Sequence, residues 1–243
     1  MPRAGAAKRI WKRPAAPVSS IASPPIENTP LFCEQRAMNT SERQAHWENV
    51  YRAKSPEGVS WYQSRPDISL QLINAYAPAR DSAILDVGGG ASTLIDHLLD
   101  AGYAGLTVLD IAEAALAHMR RRLGARASRV HWIVADITLW RPDARYDLWH
   151  DRAVLHFLVE PKDQTNYADA LRRAVKPGGI AMIAGFAPGG PEKCSGLTVV
   201  QHDGASLGAL LGERFKLIEI RDELHRTPWN TEQAFRYHVF RCA

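Results

Sequence analysis

The chain has 243 residues, of which 46% are hydrophobic, so it is long and apolar enough for one domain with an appendage. No apolar run approaches the roughly 20 residues that a membrane span needs, and we expect no membrane partner. Cys33, Cys194 and Cys242 are an odd number without metal-ligand spacing. Neither a disulfide framework nor a metal site is therefore expected, and a reducing, cytoplasmic setting fits.

The net charge of +4 comes from residues 1–36, which hold six basic and two acidic side chains. The remainder is neutral, which argues against nucleic acid as a partner. Residues 1–37 are rich in Pro, Ala and Ser without periodicity, so we predict a disordered basic tail before a domain over residues 38–243. Two alternatives stay open: the tail is an organellar transit peptide, or it lies upstream of a natural start at Met38.

Two helical patterns follow the tail. One helix is predicted from a cap at Thr40 or Ser41 to about Ala53, and a second over residues 61–76 around Pro66. Strands are then predicted at 83–87, 106–110, 130–134, 146–150 and 180–186, with helices at 92–101, 112–123 and 164–175. This alternation is typical of right-handed β-α-β units with a parallel sheet.

The segment ILDVGGGASTL at residues 84–94 carries the clearest chemistry. An apolar run ends in Asp86, and Gly88, Gly89 and Gly90 lead into a helix. Glycine permits a tight turn and a close backbone approach, and the helix directs unpaired N–H groups at the loop. The pattern predicts a site for an extended polar cofactor at the carboxyl end of a strand.

Acids also end the next three predicted strands, at Asp110, Asp136 and Asp151. The spacing of Asp110 suits a carboxylate that binds two ribose hydroxyls. A helix near residues 205–211 and strands at 215–221 and 235–242 close the chain. No helix separates these last two strands, so they are expected to pair as antiparallel neighbours.

The pattern Asp86-x-Gly88-x-Gly90-x-Ser92 resembles motif I of the class I S-adenosylmethionine-dependent methyltransferases, and the resemblance covers about residues 41–243. It implies an α/β class with a doubly wound, mainly parallel seven-stranded sheet, an antiparallel last strand, and S-adenosylmethionine as cofactor. In the methyltransferase pattern the acid at Asp136 accepts a hydrogen bond from the adenine amino group. The implied cofactor-binding residues are Trp61, Asp86, Gly88, Gly89, Gly90, Ser92, Asp110, Ile111, Asp136 and Ile137.

Local features are similar to the lysine methyltransferases of elongation factor 1A and citrate synthase, and to their bacterial relatives. These features are His46-Trp47, Ser60-Trp61-Tyr62, Ala91-Ser92 and Asp151-Arg152-Ala153. The lysine methyltransferases have Asp-Lys-Gly where this chain has Asp151-Arg152-Ala153. The resemblance implies methyl transfer to a protein lysine or a small molecule. It does not extend to residues 188–196, so it leaves the acceptor open.

Asp151 is the candidate catalytic residue, because a carboxylate beside an accepting nitrogen would orient it and assist its deprotonation. The alternative for Asp151 is a cap for the next helical segment. His150 is expected to point to the opposite face of the sheet. The substrate rim is predicted to include Tyr62, Arg152, His156, Lys193, His225 and Trp229.

Two other functions remain open at this point. A nicotinamide-dependent oxidoreductase has a related fold, but the third glycine of its fingerprint would fall at Thr93. A non-catalytic scaffold with this fold would have no need of acids at Asp86, Asp110 and Asp136. We expect a monomer or a weak homodimer.

Overall fold

The computed structural model describes residues 38–243, and the predicted tail lies outside them. The helices are α1 (Thr40–Ala53), α2 (Asp67–Tyr76), α3 (Leu94–Asp100), α4 (Glu113–Leu123), α5 (Pro161–Ala174) and α6 (Gly204–Leu211). The strands are β1 (Ile84–Val87), β2 (Leu106–Asp110), β3 (Val130–Val134), β4 (Tyr146–Arg152), β5 (Val175–Phe186), β6 (Lys193–Cys194), β7 (Leu197–Thr198), β8 (Phe215–Arg226) and β9 (Glu232–Cys242).

Seven strands form one sheet in the order β3-β2-β1-β4-β5-β9-β8. Strands β1 to β5 pair in parallel, and β9 runs antiparallel to both β5 and β8. The predicted doubly wound sheet with an antiparallel last strand is confirmed. The chain order reverses between β1 and β4, and ligands of such sheets bind at the carboxyl ends of the strands on either side of that point.

Both faces of the sheet are covered by helices. Residues of α2, α3 and α4 pack on one face with Ile84 and Leu148, and residues of α5 and α6 pack on the other with Leu85 and Trp149. Because side chains alternate along a strand, the residues at positions 86 and 150 belong to the first face. Those at positions 87 and 151 belong to the second.

The helix starts differ from the predicted ones. Asn39, not Thr40 or Ser41, caps α1: its side chain accepts from Glu42 N at 3.0 Å, and the Glu42 carboxylate accepts from Asn39 N at 2.8 Å. The second predicted helix is confined to α2, which begins after Pro66. The residue before a proline is disfavoured in the helical region, so Trp61 and Tyr62 lie in a loop.

Several strands are longer than predicted. β4 continues to Arg152, and the antiparallel pair of β8 and β9 extends until only residues 227–231 connect them. The small hairpin of β6 and β7 is a separate two-stranded sheet. Within residues 38–243, no helix combines the length and the apolar character that crossing a membrane requires.

Candidate active site

A cleft lies along the carboxyl edge of the sheet, over the point where the strand order reverses. Asp86, Asp110 and Asp136 line one part of it, which we call the acidic half. The other part, the aromatic half, surrounds Arg152 and is lined by Trp47, Trp61, Phe157, Phe186 and Phe235. The two halves follow the sheet order, since the acids end β1 and β2 and follow β3, whereas Arg152, Phe186 and Phe235 belong to β4, β5 and β9.

The glycine loop after β1 leaves no room for side chains. Gly88 and Gly90 have φ values of 63° and 57°, a region that other residues rarely adopt. A Cβ at Gly88 would overlap Cγ2 of Val154, and a Cβ at Gly90 would overlap the hydroxyl of Tyr51. A Cβ at Gly89 would lie 2.9 Å from Oδ2 of Asp86. The bare backbone is therefore the floor of the acidic half.

Asp110 holds this loop from β2. Its carboxylate accepts hydrogen bonds from the N–H groups of Gly90 and Ala112, each at 2.8 Å. Burial raises the pKa of Asp110 to about 6, although these N–H groups act in the opposite direction. The remaining lone pairs of the carboxylate can accept hydrogen bonds from hydroxyl groups, such as the two ribose hydroxyls that the spacing of Asp110 predicts.

Asp86 shares the sheet face with His150, because the two residues are register partners in β1 and β4. His150 Nδ1 lies 2.8 Å from Asp86 Oδ1, and Nε2 lies 2.9 Å from Ser69 Oγ. His150 lies on the sheet face opposite to Asp151, as expected, but this is the face that lines the cleft. Oδ2 of Asp86 is buried without a hydrogen-bond partner among the described residues. It is an acceptor available to a polar ligand.

Asp136 is bound by Arg43, a residue that no sequence motif marked. Arg43 donates to Asp136 Oδ2 at 2.8 Å and to Asp163 at 2.6 Å, which ties α1 to the end of β3 and to α5. Thr138 donates its N–H and its hydroxyl to Asp136 Oδ1. Burial acts to raise the pKa of Asp136, but the Thr138 and Arg43 hydrogen bonds outweigh it and lower that pKa.

Asp151 does not line the cleft, which corrects its assignment as the catalytic residue. The side chain is fully buried on the opposite face of the sheet. Its carboxylate accepts from Val154 N at 2.8 Å, from Leu155 N at 3.1 Å and from the Tyr167 hydroxyl at 2.6 Å. Asp151 therefore binds the N–H groups at the start of the short helical turn Leu155–Phe157 and does not contact the cleft.

The proposed cofactor-binding residues lie together with one exception. Trp61, Asp86, Gly88, Gly89, Ser92, Asp110, Ile111, Asp136 and Ile137 all line the cleft. Gly90 does not line it, because the Tyr51 hydroxyl covers this residue. The unpartnered Oδ2 of Asp86 can accept a hydrogen bond from a polar ligand group. The glycine floor lets an extended ligand lie directly against the backbone. The residues present thus suit S-adenosylmethionine.

The predicted rim is only partly brought together. Tyr62 and Arg152 line the cleft, whereas four other residues do not. His156 is buried against Phe186, with ring centroids 5.1 Å apart, and faces a separate small cavity. His225 is a ladder residue of β8 whose Nε2 lies 2.6 Å from Ser60 O. Lys193 is exposed on β6, and Trp229 is 55% exposed in the β8–β9 connection.

Arg152 is held by contacts around the aromatic half. It donates through Nε to the Tyr237 hydroxyl at 3.1 Å, through Nη1 to Trp61 O at 3.2 Å and through Nη2 to Glu223 at 3.3 Å. Its guanidinium lies 4.2 Å from the ring centroid of Phe235. The next residue, Ala153, has a φ of 75°, which is uncommon for a residue with a Cβ.

Known proteins share this fold and sequence pattern. A family described as "Methyltransferase domain" matches residues 84–179. The eEF1A lysine and N-terminal methyltransferase of Mus musculus is 23% identical over 141 residues, which are 58% of this chain and 20% of that protein. The ubiquinone/menaquinone biosynthesis C-methyltransferase UbiE of Roseobacter denitrificans is 30% identical over 119 residues, 47% of this chain and 46% of its own length.

Solved structures agree in fold. The N-methyltransferase NodS of Bradyrhizobium japonicum, in complex with S-adenosyl-L-homocysteine, has a TM-score of 0.61 and 17% identity, and the match covers 81% of this chain and 98% of that one. The matches give no support to the oxidoreductase alternative. The glycine loop, the acids at successive strand ends and the antiparallel last strand, together with the methyltransferase domain matched at residues 84–179, support a class I S-adenosylmethionine-dependent methyltransferase.

Proposed function

We propose that the protein transfers a methyl group from S-adenosylmethionine to a protein lysine or a small-molecule acceptor. The observation that carries this proposal is the acidic half of the cleft, where a side-chain-free glycine floor faces Asp86, Asp110 and Asp136. When bound, the cofactor supplies an electrophilic methyl group on a sulfonium. The chain's own residues bind the cofactor, exclude water and align the nucleophile.

Each acid of the cleft has a proposed part in binding. Oδ2 of Asp86, which is buried and unpartnered among the described residues, accepts a hydrogen bond from the amino group of the cofactor. Asp110 accepts hydrogen bonds from the ribose hydroxyls while it keeps the loop in place through Gly90 N. Asp136 accepts a hydrogen bond from the adenine amino group, and Arg43 fixes the orientation of this carboxylate.

The relatives support both kinds of acceptor. The mouse relative is named for a lysine and an N-terminus of eEF1A, and the Roseobacter relative for carbon methylation in quinone biosynthesis. The matched region is only a fifth of the mouse protein, so the name of that protein does not decide the acceptor of this one.

Calorimetric titration tests the cofactor. We expect S-adenosylhomocysteine to bind and to raise the melting temperature of the protein, and NAD to do neither. Transfer of labelled methyl into a lysate, separated into protein and small-molecule fractions, then tests the reaction. Binding of NAD without binding of S-adenosylhomocysteine contradicts the proposal.

Cofactor affinity should depend on pH through Asp110. The carboxylate accepts hydroxyl hydrogen bonds more strongly than the neutral acid, and burial raises its pKa to about 6. The affinity for S-adenosylhomocysteine should therefore be constant above about pH 7 and fall as the pH drops below about 6. Titrations over this range check the effect, and Asp110→Asn should bind more weakly with a flatter profile. An identical pH profile in both proteins would assign the titration to another group.

A further inference from the structure

We propose that the acceptor is a small, ring-containing molecule with an anionic group, and that Arg152 binds that group. The inference rests on the proposed methyl transfer and names the class of acceptor. It follows from how charge and aromatic rings are distributed along the sheet edge. The acids of the cleft belong to the acidic half, and Arg152 is the charged residue of the aromatic half among the described lining residues.

The guanidinium of Arg152 has donors to spare. It carries five N–H groups in a rigid plane, and its contacts with Tyr237, Trp61 and Glu223 use three of them. Arg152 lines the cleft, whereas its charge partner Glu223 does not. Gln63 and the Tyr237 hydroxyl also donate to Glu223, so Arg152 is one of three donors to this carboxylate. A positive group with free N–H donors therefore faces the cleft, and such a group binds carboxylate, phenolate or phosphate oxygens.

The rings around Arg152 form walls that suit a flat ligand. Phe186 and Phe235 have ring centroids 4.9 Å apart, and Trp47 lies 4.9 Å from Phe157 and 5.9 Å from Trp61. Aromatic faces and edges at such distances bind other rings in stacked or edge-to-face arrangements. The guanidinium over Phe235 is already oriented by that ring, so it loses little freedom when it binds an anion.

A lysine side chain fits this half less well. An ammonium group there would lie near a guanidinium, and like charges in a partly buried site repel each other. The lining residues within 38–243 include no carboxylate in the aromatic half that could hold or deprotonate a lysine, because Asp151 is on the other face of the sheet. A cation after β4 is also present in the lysine methyltransferases that the sequence resembles. The features of this half that disfavour a lysine are therefore the rings and the lack of a lining carboxylate among the described residues.

Three probes of one shape and different charge test the inference. The protein is saturated with S-adenosylhomocysteine and titrated with naphthoate, the neutral naphthalenemethanol and the cationic naphthylmethylamine. We expect naphthoate to bind about tenfold or more tighter than naphthylmethylamine, because it forms charge-assisted hydrogen bonds with Arg152. The neutral probe should lie between them. Quenching of tryptophan fluorescence or calorimetry measures the three affinities.

Variants assign the preference to one residue. Arg152→Gln should lower naphthoate affinity about tenfold or more and leave naphthalenemethanol nearly unchanged. Arg236→Gln is the matched control, since Arg236 lies one residue from Phe235, pairs with Asp222 and does not line the cleft. The comparison of the three probes on the unaltered protein needs no variant, so it stays decisive if Arg152→Gln fails to fold.

The outcomes separate the two proposals. If S-adenosylhomocysteine does not bind, the proposed function itself fails. A second outcome is that S-adenosylhomocysteine binds but naphthoate does not bind in the cleft, or binds no tighter than naphthylmethylamine. The proposed methyl transfer then stands, and the proposal of an anionic acceptor is overturned. Labelled methyl recovered only on protein lysine overturns it in the same way. Label in an acidic, small-molecule fraction supports it.

Discussion

Gly88→Ala should nearly abolish cofactor binding and destabilise the domain. The new Cβ would overlap Cγ2 of Val154, and the residue would keep a φ of 63°. The left-handed backbone costs roughly 1–2 kcal/mol for a residue with a Cβ, and overpacking typically costs a further 1–3 kcal/mol. Either the Val154 side chain or the loop has to move, and a shift of the loop displaces the N–H groups at the floor of the acidic half. Thermal unfolding and titration with S-adenosylhomocysteine measure the two effects.

Matched variants separate strain from overlap. Gly102→Ala has the same kind of strained backbone, with a φ of 88°, but its Cβ meets nothing within 4 Å. It should lose stability without losing cofactor affinity. Adding Val154→Ala to Gly88→Ala removes the overlapping methyl group and should restore part of the lost affinity. Cofactor binding that is unaffected by Gly88→Ala would mean that the loop does not contact the cofactor.

Asp151→Ala should destabilise the protein more than an ordinary cap substitution. The change leaves Val154 N, Leu155 N and the Tyr167 hydroxyl without their acceptor in a buried site. Each buried group left unpaired costs roughly 1–3 kcal/mol, so the free energy of unfolding should fall by several kcal/mol. Denaturant unfolding measures it. Asp151→Asn keeps one acceptor oxygen, so its free energy of unfolding should lie between those of Asp151→Ala and the wild type.

The control for this series is Asp169→Ala on α5. Asp169 is a half-exposed carboxylate that pairs with Arg172, and ion pairs near the surface contribute about 1 kcal/mol or less. Asp151→Asn should also bind S-adenosylhomocysteine as the wild type does, because Asp151 is outside the cleft. Normal stability of Asp151→Ala combined with a large loss of turnover would restore the catalytic role that the sequence suggested.

The difference between Asp151 and His150 shows what the sequence leaves undetermined. The acids at strand ends were recognisable because buried parallel strands read as apolar runs, and β2 and β3 occupy the predicted residues. Which of two successive residues faces the cleft depends on where the strand ends and on its register with β1. β4 runs two residues further than predicted and pairs His150 with Asp86. The histidine therefore lies in the cleft and the aspartate lies under the sheet.

Other departures have the same origin in long-range contacts. His225 was placed in a connecting loop, but the ladder of β8 and β9 continues past it and binds it to Ser60. Arg43 gave no signal, since its partners Asp136 and Asp163 are 93 and 120 residues away in sequence. Phe186 and Phe235 were recognisable only as strand residues. Their meeting in the aromatic half depends on the antiparallel pairing of β5 with β9, whose register the sequence did not provide.

The left-handed backbone at Ala153 separates two residues that contact different parts of the cleft. Arg152 on one side of it faces the aromatic half, and Val154 on the other side packs under the glycine floor. The Ala153 methyl group packs against the cluster of Phe186, Cys194, Val199 and Phe235, which can offset the strain of its φ. The methyl group that makes this backbone conformation costly thus also supplies a packing contact that favours it. Ala153→Gly would relieve the strain of the backbone and remove that contact together.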